Sequence, residues 1–252
     1  MTRSTQLLFA ALMVLVMGAV VLWSTGAWRF VCTGWLIWRV EPFQQQVEYG
    51  PTILVLGDST AYGTGATRSE DSIAGLMGER YPDYTVITKA RNGLTTIGLA
   101  QLLEDWLGEE HYQLVLVQVG GNDILQSVAT STSMQTMEEV IHRVQQQTQQ
   151  VVWMSVGNVG SAPAFLSNES RSSSLEAASV EFHRAARQLA DTVGVTYIDF
   201  FRARDVDPFV LESHLYMAAD GLHPSSRGYQ QWFDVLQPVL DDVLQETSLE
   251  EV

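Results

Sequence analysis

The stretch Thr52-Ile53-Leu54-Val55-Leu56-Gly57-Asp58-Ser59-Thr60-Ala61-Tyr62-Gly63 decides how this chain is read. Thr52–Leu56 is too short for a helix, and its apolar residues run on without alternation. That pattern marks a strand buried on both faces, as in a parallel sheet. The strand gives way to a turn of Gly, Asp and Ser, which carries a hydroxyl to the end of the sheet.

Working outward, four further runs read as strands: Tyr84–Thr88, Gln113–Val119, Val151–Val156 and Val195–Asp199. Amphipathic stretches separate them, at Ser72–Tyr81, Ile97–Leu107, Met134–Gln149 and Leu175–Val193, with a last one at Gly228–Gln245. Strands alternating with helices predict an α/β fold with a parallel sheet covered on both faces. The expected architecture is a flavodoxin-like three-layer α/β/α sandwich with five strands in the order 2-1-3-4-5. No repeat period signals a solenoid. Gln145–Gln150 reads as a solvated helix face and Gly157–Ser174 as a long loop, in which Asn168-Glu169-Ser170 matches a short glycosylation pattern.

The 252 residues suit one domain plus an appendage, and 46% hydrophobic residues supply a sizeable core. From Gly50 onward there are 11 Lys/Arg against 27 Asp/Glu, a net charge of −16. Such a field repels polyanions, which makes nucleic acid an unsuitable partner. Cys32 is the single cysteine. An intrachain disulfide is therefore impossible, and no Cys/His spacing suits zinc.

The appendage is N-terminal. Leu7–Trp23 is an unbroken run of 17 apolar residues, and extension to Trp28 gives 22. At about 1.5 Å per residue that helix is roughly 33 Å long, enough to cross a bilayer. A cleavable signal peptide is the rival reading, with Thr25-Gly26-Ala27 as its cleavage site. Trp23, Trp28, Trp35 and Trp38 cluster at its end, as tryptophans do at membrane interfaces. The resulting expectation is a single-pass anchor and interfacial segment over residues 1–38 and a polar linker over 39–51. A catalytic domain over 52–246, on the outer side of the membrane, and an acidic tail over 247–252 complete it.

Four short motifs carry the chemistry. Gly57-Asp58-Ser59 places a hydroxyl after the first strand. Asp220-Gly221-Leu222-His223-Pro224 supplies a base with an acid three residues earlier to hold its ring. Gly120-Gly121-Asn122-Asp123 follows the third strand with an amide able to face a developing oxyanion, and Gly93 follows the second with a backbone N–H. Each alone is an ordinary turn. Together, in this order over about residues 51–240, they resemble the SGNH (GDSL-type) hydrolase family, whose name residues match Ser59, Gly93, Asn122 and His223. The resemblance implies an esterase with the triad Ser59, His223 and Asp220. It also implies an oxyanion hole from Ser59, Gly93 and Asn122, an ester substrate, and no metal or cofactor. An acyltransferase using the same acyl-enzyme, or a binding protein that merely keeps the fold, are the alternatives.

Overall fold

The computed structural model describes residues 5, 8, 12–18, 28–108, 110–148 and 150–250. The apolar run from Leu7 lies mostly outside them, and among the described residues no helix is long and apolar enough to cross a membrane. The first full element is α1, Trp28–Arg39. Its Leu36 is buried, as is Val40 just beyond it, while Val31, Trp35 and Trp38 are exposed.

Five strands follow: β1 (Thr52–Gly57), β2 (Thr85–Ala90), β3 (Leu114–Gln118), β4 (Val151–Met154) and β5 (Thr196–Ile198). All pair in parallel, in the order β2-β1-β3-β4-β5. This is the sheet the alternation predicted. Its two faces are read by the two-residue period of the strands. Leu54, Leu56, Val115, Val117 and Trp153 pack on one side. There they meet α4 (Thr96–Leu107), α6 (Thr130–Val144) and α7 (Glu169–Val193). Ile53, Val55, Leu114, Leu116 and Met154 face the other side, against α3 (Ile73–Arg80) and α10 (Ser226–Glu250). Four short helices, α2 (Ser59–Tyr62), α5 (Gly121–Leu125), α8 (Pro208–Leu211) and α9 (Ser213–Tyr216), lie in the connections.

Four expectations change. Residues 39–51 are not a free linker: Gln45 forms an antiparallel bridge to Val86, and the Gln44 amide donates to Thr88 O and accepts from Thr88 N. This strap covers the open edge of β2, where unpaired backbone groups would otherwise face water. Helix α7 begins at Glu169, inside the expected loop, with Asn168 accepting from Arg171 N as its N-cap. Buried Ser172 donates to Gly160 O at 2.6 Å, a tertiary contact that offsets the modest helix propensity of this serine-rich turn. Helix α6 stops at Val144, and the glutamines beyond it close loops, Gln145 on Val193 O and Gln147 on Gly108 O. Helix α10 continues to Glu250, into the segment expected as a tail.

Candidate active site

Ser59, Gly93 and Asn122 stand just past the carboxyl ends of β1, β2 and β3, because β1 lies between the other two. Ligands bind at this edge in open parallel sheets. At the end of β1 the backbone turns sharply at Gly57, where φ is +156° and an added Cβ would stand 1.9 Å from Gln118 O. Only glycine fits so close to β3. The chain then enters α2, with Asp58 as N-cap accepting from Thr60 N at 2.8 Å. Ser59 is the first residue of that helix, so its N–H has no intrahelical acceptor. Among the described residues the N–H groups of Ser59 and Gly93 have no backbone partner either. Gly93, with φ +78°, has open space on its Cα.

The histidine comes from the far end of the chain. His223 Nε2 lies 3.0 Å from Ser59 Oγ, and His223 Nδ1 lies 2.6 Å from Asp220 Oδ2. Asp220 Oδ1 accepts from the N–H groups of Leu222 and His223, at 3.0 and 3.1 Å. The three-residue spacing thus folds into a tight turn that aims both side chains at β1. Burial alone would raise the Asp220 carboxyl, but the hydrogen bond and charge of the His223 ring, with the two N–H donors, hold it below the usual carboxylate range. All three side chains are buried.

Asn122 stands beside them with its amide already in use. Nδ2 donates to Leu94 O at 3.1 Å and to Asp58 Oδ2 at 3.3 Å. The structure therefore brings Ser59, Gly93, Asn122 and His223 to one cavity, with the Asn122 amide hydrogen-bonded to its neighbours. Asp58 is almost fully buried. Desolvation pushes its carboxyl up to about 6, against the Thr60 donors and the His223 ring, which pull it down. His214 is not among the residues that line this cavity. His183 is buried and bonded to Tyr197 and Asp199 behind the sheet.

Three contributors were not singled out from sequence. Asp123 Oδ1 accepts from Thr96 Oγ1 and Ser133 Oγ, and Oδ2 from Thr96 N, at 2.6, 2.8 and 3.0 Å. It ties α5 to α4 and α6 and so fixes its neighbour Asn122. The loop after β4 supplies Val156 and Val159 to the cavity wall. Helix α1 supplies Thr33 and Ile37 to that wall, and Thr33 Oγ1 donates to Asp220 Oδ2 at 3.1 Å. The adjacency of Asp123 to Asn122 was the one usable sequence signal; the other two need the fold. The cavity holds about 280 Å³ and is mostly apolar, with Leu125, Phe200, Phe209 and Trp232 among its walls.

A serine hydrogen-bonded to an imidazole, itself held by a buried carboxylate, is the arrangement that generates a nucleophile at neutral pH. Several known proteins are similar to this chain in sequence or in structure. Esterase TesA of Pseudomonas aeruginosa is 25% identical over 210 residues, covering 77% of this chain and 89% of that protein. The lipase/acylhydrolase from Enterococcus faecalis superposes with a TM-score of 0.57 at 20% identity, covering 78% of this chain and 96% of that one. An extracellular lipase from Streptomyces rimosus gives 0.55 at 17% identity, covering 77% and 100%. At these identities the solved structures speak for the fold, which they share with this chain. The family model described as GDSL-like Lipase/Acylhydrolase matches residues 55–231, from within β1 to within α10 and spanning every motif residue above, so the chain belongs to the GDSL-like lipase/acylhydrolase family.

Proposed function

We propose that the chain is a serine esterase that hydrolyses carboxylic esters through an acyl-enzyme on Ser59. The observation that carries this reading is the continuous row from Ser59 Oγ through His223 to Asp220, at 3.0 and 2.6 Å, with Ser59 and His223 lining a mostly apolar cavity. His223 Nε2 takes the hydroxyl proton as Ser59 Oγ adds to the ester carbonyl. Asp220 keeps Nδ1 protonated and offsets the imidazolium charge. The oxyanion meets the N–H groups of Ser59 and Gly93 and the Asn122 amide. For the last of these, the 3.3 Å bond to Asp58 is the weaker of its two and the one that yields. His223 then protonates the departing alcohol, and water deprotonated by the same ring releases the acid from Ser59.

The apolar walls suit an acyl chain, and the names of the similar proteins, an esterase and two lipases or acylhydrolases, favour water over an alcohol as acceptor. The test is a panel of p-nitrophenyl esters of graded chain length, with fluorophosphonate labelling. Wild type is expected to turn over and label at Ser59, and purified Ser59→Ala to do neither while keeping its fold. Turnover by Ser59→Ala would end this reading.

A membrane setting belongs to the same proposal. Its support is the apolar run Leu7–Trp23 and the exposed Val31, Trp35 and Trp38 on α1, whose rings suit a lipid interface. In this reading the N-terminal segment anchors the enzyme and the catalytic domain faces outward. Protease added to spheroplasts should degrade the domain; full protection until lysis would reverse the orientation.

A further inference from the structure

We propose that Thr33, on the N-terminal helix α1, is a positioning residue for the catalytic carboxylate; the inference rests on the esterase reading above. The carboxylate of Asp220 has four lone-pair sites, two on each oxygen. Oδ1 takes the N–H groups of Leu222 and His223, and Oδ2 takes His223 Nδ1. The fourth site is filled by Thr33 Oγ1 at 3.1 Å, from a residue 187 positions away. Asp220 is 1% exposed, so solvent does not replace that donor.

The other three donors come from the turn that contains Asp220 itself. They move with it and do not fix its tilt against the sheet. Thr33 is the donor that comes from another element, held in place by Leu36 and Val40, both buried. It therefore ties the carboxylate to a helix that walls the cavity beside Ser59, through Thr33 and Ile37. Helix α1 also lies wholly before residue 55, where the match to the family begins. The contact thus comes from outside the segment that matches the family, and the same helix carries Trp35 and Trp38 on its exposed side.

The chemical consequence has a definite sign. A hydrogen bond to a carboxylate disperses its charge, which leaves less of that charge to hold a proton on the imidazole. The titratable groups that face the pair are Asp58 and Tyr229, and both are present unchanged in wild type and in the Thr33 variants. Removing the hydroxyl therefore favours the imidazolium, and the acid limb of the pH profile moves to higher pH.

The experiment uses the full-length enzyme in detergent with Thr33→Val, which keeps the shape of the side chain, and Thr33→Ser, which restores the hydroxyl. For Thr33→Val, kcat is expected to fall about three- to tenfold, as for loss of one ordinary hydrogen bond, with KM nearly constant. The acid limb of kcat/KM should rise by about 0.3–1 pH unit, and Thr33→Ser should bring both back to within about twofold of wild type. An unmoved acid limb in Thr33→Val overturns the inference whatever kcat does. So does a loss that Thr33→Ser fails to rescue. Failure of the esterase reading appears separately, as activity surviving in Ser59→Ala.

Discussion

The Asn122 amide donates across 3.3 Å to Asp58 Oδ2, which links the residue after the third strand to the N-cap of the helix that starts with Ser59. The oxyanion side and the nucleophile side of the site are thereby joined through one buried carboxyl. Asn122→Ala breaks this link and removes a donor together. We expect kcat to fall by about a hundredfold or more with little change in KM, read on a p-nitrophenyl ester.

Asp58 carries a pH signature of its own. Its folded carboxyl titrates at about 6 against 3.8 unperturbed, because burial disfavours the charge. The folded state holds this proton more tightly, so its contribution to stability falls as pH rises from about 4 to 6. The loss is about 3 kcal/mol at most by linkage. Asp58→Asn keeps a good N-cap and has no proton to lose. Subtracting its denaturant unfolding free energy from that of wild type, at pH 4, 5, 6 and 7, should expose the decline; a flat difference would show that Asp58 titrates normally.

Asp199 should behave oppositely. Burial would raise its carboxyl, but the His183 ring, the Phe201 N–H and Arg187 outweigh it and hold it at about 2. Stability from this group is fully present above about pH 4 and is lost as pH falls toward 2. Asp199→Asn is expected to cost about 1–2 kcal/mol at pH 7 in urea unfolding, with the gap to wild type closing near pH 2.

Asp123 makes no contact with an ester in the proposed mechanism, yet it takes three hydrogen bonds in full burial. Asp123→Ala leaves Thr96 N and two hydroxyls without acceptors. A stability loss of about 2–4 kcal/mol should follow, together with weaker catalysis as Asn122 loosens. Calorimetry and turnover on the same preparation check both.

Gly57 tests the backbone beneath the nucleophile. An alanine methyl would meet Gln118 O at 1.9 Å in a conformation that L residues rarely adopt. Gly57→Ala should cost more than about 3 kcal/mol and yield little folded protein, judged by circular dichroism and soluble expression.

What could be read from the residues, and what could not, divides along physical lines. Strand Thr52–Leu56 was legible because a strand buried on both faces needs an unbroken apolar run, and it is observed with one more residue. Helix α7 was read short at its start, because Ser172 and its neighbours have weak helix propensity and are held by the contact to Gly160. The strap at Gln44 and Gln45 looked like a polar linker, since an amide that pairs with the β2 backbone has the same composition as one facing water.

The sequence by itself determined the alternation of strands and helices, the order of Ser59, Gly93, Asn122 and His223 along the chain, and the pairing of Asp220 with His223, which are close enough to share one turn. Those are local facts, set by periodicity and by spacings of a few residues. The tertiary structure alone decided that Asn122 spends its amide on Asp58 and Leu94, that Asp123 clamps two helices, and that Thr33 reaches Asp220 from 187 residues away. Such contacts join side chains distant in sequence, and they exist only once the packing of the sheet and its helices has set where each backbone lies.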